Sequence, residues 1–463
     1  MADFSYLSIV DQKAAFLDTL ADAIWEHPEL AFAEHQSAKM LIDALRAEGF
    51  EVQQNLADIP TAFSGRFGSG RPVIGLLGEF DALSGVSQRA GATSPEPIGA
   101  AGHGCGHNLL GVGSLGAALA VKRYLETTGC PGTVVYYGCP GEEGGSGKGF
   151  MARYGAFDGL DAALCWHPKD VTEVRVFSTL ANVQVLYRFD GMASHAAAYP
   201  EQGRSALDAV ELMNVGVNFL REHMISDARI HYAITDSGGI SPNVVQPHAE
   251  VLYLIRAPFN SQVRELFDRV CDIARGAALM TGTHVEHTFI KACSNVIPNE
   301  AIQRDLYRIM GQIPPPEPEP ASLEFARELT LRSLAGKPDA NPEAPLCLGV
   351  LPYREGDVLM HSSTDVGDVS WICPTAQIHA ATWARGTPGH TWQVTAQGKS
   401  VQAHSMMRYA SKVLAAEAVS LLTDPELLER AKAEHRRRVG PEGYVPPIPQ
   451  GVRPMPMEAL IGK

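Results

Sequence analysis

The chain has 463 residues, 45% of them hydrophobic and 19% charged, with a formal net charge of −14. That length exceeds one ordinary core and predicts about two domains. The acidity excludes a nucleic-acid binder, which needs a basic face, and a polybasic membrane-surface mode; it fits an enzyme of small molecules.

Residues 1–20 carry Asp3, Asp11, Lys13 and Asp18, not the basic and apolar blocks of a secretory signal. Eight scattered cysteines do not make a disulfide scaffold, so reduced thiols in a cytoplasm are expected. Helical spacing predicts helices over 11–25 and 36–49. Val73-Ile-Gly-Leu-Leu-Gly-Glu79 reads as a buried strand, 109–126 as a helix, and 133–138 and 161–166 as further buried strands. Strands alternating with helices predict an α/β fold with a mainly parallel sheet. Leu109 to Val121, the longest nearly apolar run, is too short to span a bilayer.

The pattern changes near residue 181. Strand 181–190, helix 205–223, strands 230–235 and 250–256, helix 261–280 and strand 284–290 follow in the order β-α-β-β-α-β, the ferredoxin-like split pattern. Residues 1–180 and 294–463 then form one α/β domain, and 181–293 is an inserted small domain. Gly311 to Pro320 holds five prolines and reads as a loop. A strand is expected over 376–383 and a long helix over 403–422. The tail from Gly440 is Pro-rich and shows no core pattern, and Arg436 to Arg438 reads as a solvated helix end.

The chemistry-bearing residues follow strands, where parallel sheets bind ligands. Glu79-Phe-Asp81 ends one strand, and Gly104-Cys105-Gly-His107-Asn108 precedes a helix. Pro140-Gly-Glu142-Glu143-Gly-Gly, Trp166-His167-Pro168 and Gly386-Thr-Pro-Gly-His390-Thr-Trp392 follow three more. Singly, each has a bland reading: a buried thiol beside a satisfied histidine, a surface turn, a strand-end histidine. Together Cys105, His107, Glu143, His167 and His390 form a mixed donor set able to hold two adjacent divalent ions. Glu142 is free to act as a base on a metal-bound water, and Asp81 can steady the ligands.

These motifs, with Trp25-Glu-His-Pro-Glu-Leu-Ala-Phe, Gly78-Glu-Phe-Asp-Ala-Leu, Ala193-Ser-His-Ala-Ala and Asn243-Val-Val, run from residue 25 to residue 392. The chain resembles the M20 metallopeptidase and amidohydrolase family, subfamily D, in its p-aminobenzoyl-glutamate hydrolase-like subgroup. The resemblance implies a three-layer metallopeptidase domain with an inserted lid and dimerisation domain, hence a homodimer. It implies two ions per chain, zinc or manganese, on Cys105, His107, Glu143, His167 and His390. Glu142 falls on the general acid/base position. His195 falls on a lid position that reaches the partner subunit's site and helps bind the developing oxyanion. Asn243 and Arg256 fall where lid residues hold the substrate's carbonyl or carboxylate. The implied reaction is hydrolysis of an N-acyl amino acid or dipeptide-like amide, aroyl-glutamates included, by metal-activated water. Unusual dipeptides and auxin conjugates are other substrates it admits.

Asn108 stands where many members of the subfamily have Asp, and Glu79 stands where the wider family has a metal-binding His, so Glu79 is not assigned as a ligand. Asp365 and Asp368 either line the pocket or cap a helix and are left outside the site. Gly144-Gly-Ser-Gly-Lys148-Gly lacks the Ser or Thr and the glycine spacing of a phosphate loop. A Cys105 nucleophile with His107 leaves the other donors unused. A non-catalytic dimeric scaffold would carry a broken ligand set, whereas all five positions here hold metal-capable residues.

Overall fold

The computed structural model describes residues 3–456 and 459. Val73–Glu79, Gly132–Cys139, Ala162–Lys169 and Thr375–Ala381 pair in parallel as the centre of a seven-stranded sheet. They are buried almost throughout. A strand covered on both faces has no solvent side to mark with polar residues, which is why these segments read as continuous apolar runs. Across the sheet the order is Glu51–Gln54, Phe63–Ser69, Gly132–Cys139, Val73–Glu79, Ala162–Lys169, Thr375–Ala381, Glu173–Arg175. The three outermost strands, 51–54, 63–69 and 173–175, join antiparallel. They carry no continuous apolar run, and the sequence reading does not anticipate them.

Side chains alternate between two cores, making the fold three layers deep. Leu76, Tyr136, Trp166 and Ile378 pack beneath helices His107–Thr128 and Val401–Thr423. Tyr137, Ala163 and Cys165 face the opposite side with Phe150 and Val369. The apolar run from Leu109 lies within His107–Thr128, packed against the sheet and, along its side, against Val401–Thr423. Glycine sets that close approach: a Cβ on Gly113 would stand 2.6 Å from the Trp166 ring. Among the described residues no helix is long and apolar enough to cross a membrane.

Residues 181–293 form a separate four-stranded antiparallel sheet in the order Arg229–Asp236, His248–Ala257, Ala181–Asp190, His284–Cys293. Helices Ala206–Leu220 and Asn260–Thr281 pack on it, and the element order is β-α-β-β-α-β. Its apolar core runs without a break into Leu77, Tyr137 and Phe150 of the large layer.

Two expectations need correction. The loop is shorter than 311–320: helix Glu300–Gln312 continues through Gly311, and Pro320 opens helix Pro320–Ser333. Proline at the first helical position costs no hydrogen bond, because that N–H is unpaired in any helix. The tail from Gly440 is packed. Ile448 is 2% exposed within the second core. Tyr444 Oη donates to Asp368 Oδ1 at 2.8 Å, and Arg153 donates to the carbonyls of Pro449 and Val452 at 2.6 and 2.8 Å. Prolines hid this packing because an extended strap has no helical or strand period to read.

Candidate metal centre and active site

The four central strands end on one side of the sheet, and the residues there converge. Gly106, at φ 77°, ends the loop that delivers Cys105 and starts the helix at His107. A Cβ on Gly106 would meet Trp383 and Pro168 at 3.0 Å, so both φ and space demand glycine. His390 is held at φ 59°, a conformation uncommon outside glycine, and its N–H donates to the Gly104 carbonyl at 2.9 Å. That bond fastens the loop after Thr375–Ala381 to the loop carrying Cys105.

One donor atom each from Cys105, His107 and His167 lie within 4.8 Å of one another; so do those of Cys105, Glu143 and His390, and those of Glu79, His107 and Glu142. Cys105 belongs to two of these groups. Its Sγ is 3.4 Å from His167 Nε2, and His390 Nε2 is 3.2 Å from Glu143 Oε1. Asp81 organises the cluster. His107 Nδ1 donates to Asp81 Oδ1 at 2.8 Å, while Asp81 Oδ2 accepts the Glu143 N–H at 2.9 Å. With Nδ1 committed, His107 presents Nε2, which is buried without a hydrogen bond and has Glu79 Oε2 3.4 Å away. A buried imidazole nitrogen without a hydrogen bond, beside carboxylates and a thiol, suits a divalent cation.

The electrostatics agree. Burial opposes charge on His107, yet Cys105 and Asp81 raise its pKa well above the ordinary histidine value. Burial is likewise the largest influence on Glu142; with repulsion from Glu79 and Glu143 it pushes the carboxyl up to about 8. Such a group exchanges a proton near neutrality.

Lys148 answers several open points. It is fully buried, and its Nζ lies 2.6 Å from both Glu79 Oε1 and Asp365 Oδ1. The phosphate-loop lookalike is therefore a buried ion-pair anchor. Asp365 lines the cavity but neutralises Lys148 and makes no side-chain cap of its helix. Asp368 accepts from Ser294 and Tyr444. Asn108 is wholly buried and donates to the carbonyls of Ala21 and Gly398 at 3.3 and 3.2 Å, a role a carboxylate cannot fill.

A cavity of about 390 Å³ opens over Cys105, Glu142, Glu143, His167 and His390, and Arg256 lines it too. His195 and Asn243 do not line it; both are exposed. They sit side by side: His195 bridges to Val244, and Ala196 N donates to the Asn243 carbonyl at 3.0 Å. Asn182, paired in register with Arg256 and Cys293, marks the cavity end of the four-stranded sheet. The His195 loop follows Asp190 at the other end, eight residues and roughly 26 Å along the strand. Within one chain these two residues do not join the cluster.

The cavity also exposes residues the sequence reading missed: Arg175, His379, Asn182 and Lys291. His379 is the register partner of His167, and Glu173 and Arg175 pair with His379 and Gln377 on the edge strand. The alternation Gln377-Ile-His379 was the available signal, since it puts two polar side chains on one face of a buried strand.

The sequence pattern of Peptidase family M20/M25/M40 matches residues 75–447. One of the p-aminobenzoyl-glutamate hydrolase subunits of Escherichia coli (strain K12) is 49% identical over 460 residues, covering 95% of this chain and 96% of that protein. An aminobenzoyl-glutamate utilization protein from Klebsiella pneumoniae shares the fold at a TM-score of 0.63 and 16% identity, over 90% of this chain and 98% of that one. A dinuclear metal binding peptidase of the M20 family from Bacillus subtilis does so at 0.52 and 16%, over 87% and 99%. The chain belongs to peptidase family M20/M25/M40.

Proposed function

We propose that this hydrolase cleaves the amide bond of N-acyl amino acids, aroyl-glutamates among them, with two divalent ions, zinc or manganese, held by Cys105, His107, Glu143, His167 and His390. The observation that carries the reading is the pair of donor groups sharing Cys105, set beside the buried carboxyl of Glu142. The 49% identity to part of a p-aminobenzoyl-glutamate hydrolase supports the substrate class, and about 390 Å³ is ample for a small-molecule ligand.

Bound ions supply Lewis acidity toward the amide carbonyl and lower the pKa of water. Glu142 takes the proton of the attacking water and returns it to the leaving nitrogen; burial tunes the carboxyl for both directions. Asp81 holds His107 in the tautomer that presents Nε2. Arg256 receives the substrate's carboxylate.

Residues 181–293 act as a lid and as the surface of a homodimer. Exposed Phe219, Ile240 and Val244 on this insert support an association face. The span between His195 and its own cavity supports its acting, with Asn243, on a second copy's site, where it stabilises the oxyanion. All eight cysteines are free, which fits a reducing cytoplasm.

The test is hydrolysis of 4-aminobenzoyl-glutamate, hippurate and a dipeptide panel by protein reconstituted with zinc or manganese. Metal-dependent release of glutamate supports the reading. Cleavage of dipeptides alone moves the activity to a dipeptidase, and bound metal without any amide cleavage removes it.

A further inference from the structure

The edge strand Glu173–Arg175 adds a second kind of chemistry to the cavity. Strand alternation puts Glu173 and Arg175 on one face, paired with His379 and Gln377, and His379 pairs with His167 on the next strand. The face that carries a metal donor therefore also carries Arg175 to the cavity. Glu173 adds to the negative field around Arg175 but makes no ion pair with it; its Oε1 lies 3.0 Å from His379 Nδ1. Arg175 donates instead to the neutral amide oxygen of Gln377 and forms no ion pair among the described residues.

Two other cations that line the cavity repeat the pattern. Arg256 donates to Ser363 Oγ at 3.0 Å, and its Nε is buried without a partner. Lys291 Nζ donates to the Glu143 carbonyl at 3.0 Å, again a neutral acceptor. The carboxylates lining the cavity form no ion pair with these cations: Asp365 is taken by Lys148, Glu143 sits in a donor group, and Glu142 acts on both arginines only across space. Desolvated, unpaired guanidiniums are costly to hold, and their planar forks match carboxylates. Two of them over one cavity suit a ligand with two carboxylates.

We propose that Arg175 receives the side-chain carboxylate of a dicarboxylic leaving amino acid while Arg256 takes the α-carboxylate, so that the enzyme selects N-acyl glutamate or aspartate over their amides. This rests on the amide-hydrolase reading above. Arg175 is then a specificity-determining residue, and its loss should be felt only by substrates bearing the second charge.

Glutamate and glutamine differ there by charge at nearly equal shape. The experiment measures kcat/KM of the metal-loaded full chain and of Arg175→Gln and Arg175→Lys on 4-aminobenzoyl derivatives of glutamate, glutamine and alanine. The wild-type protein should prefer glutamate to glutamine on the order of 10²-fold, the scale of losing one partner of a desolvated charge pair. Arg175→Gln should lower glutamate turnover by a similar factor, chiefly through KM, and leave the glutamine substrate within about threefold. Arg175→Lys should recover part of the preference. Equal wild-type rates on glutamate and glutamine, or an equal loss on both in Arg175→Gln, would overturn the assignment. If Arg175→Gln does not fold, competitive inhibition of the wild-type protein decides: tighter binding of free glutamate than glutamine supports it, and equal inhibition overturns it. Wild-type protein that cleaves none of the three amides would instead sink the amide-hydrolase reading.

Discussion

The C-terminal ends of the parallel strands and the loops of the four-stranded sheet both present histidines and polar residues, with opposite outcomes. Neighbouring parallel strands end together about 4.8 Å apart, so residues far separated in the chain, from Asp81 to His390, meet at one point. In the antiparallel insert alternate loops lie at opposite ends. Asn182, Arg256 and Cys293 reach the cavity, while His195 and Asn243 are carried away from it. A parallel sheet can build a site within one chain; this insert leaves His195 and Asn243 facing outward, which the proposed dimer would put to use.

The sharpest contrast within the parallel-sheet site separates Glu142 from the donors. Glu142→Gln should lower kcat on the order of 10³-fold, since it removes the proposed general acid/base, with metal content unchanged by elemental analysis. Unchanged turnover removes Glu142 from the role. On the insert, His195→Ala should lower kcat on the order of 10²-fold, the scale of one oxyanion donor. Mixing it with Glu142→Ala then tests where His195 acts. Each mixed dimer regains one complete site, so random exchange should restore roughly a quarter of wild-type activity if the symmetric dimer forms. Activity no greater than the sum of the parents would place His195 in its own chain's site or outside catalysis.

Smaller effects refine the same division. Asp81→Asn should weaken metal affinity about 10–100-fold by releasing the His107 tautomer, measured by competition with a chelating dye. Ile448→Ala empties a packed position in the core shared by both layers. It should cost about 2–5 kcal/mol in denaturant unfolding and spare kcat; no loss of stability would mean that the tail is not part of the fold.

The four central strands, the ferredoxin-like order and the clustered donors could be read from the chain because each has a local signature: a buried apolar run, alternation, or Cys, His and Glu among glycines. What escaped has none. Edge strands such as Glu173–Arg175 are short and polar, and with them went Arg175 and the Glu173–His379 pair. Lys148 looked like part of a loop motif because nothing local shows that Glu79 and Asp365 flank it. The Pro-rich tail reads as unpacked, yet Ile448 and Tyr444 anchor it, an outcome decided by surfaces hundreds of residues away. Asn108 matched a family departure, and its reason, two carbonyls from distant segments, exists only in three dimensions.

The most direct test of the binuclear account is titration of metal-depleted protein with zinc or manganese while following cleavage of 4-aminobenzoyl-glutamate. Activity that rises and saturates at two ions per chain is the expected result. Full activity without added metal, or saturation of the site with no cleavage, would contradict it.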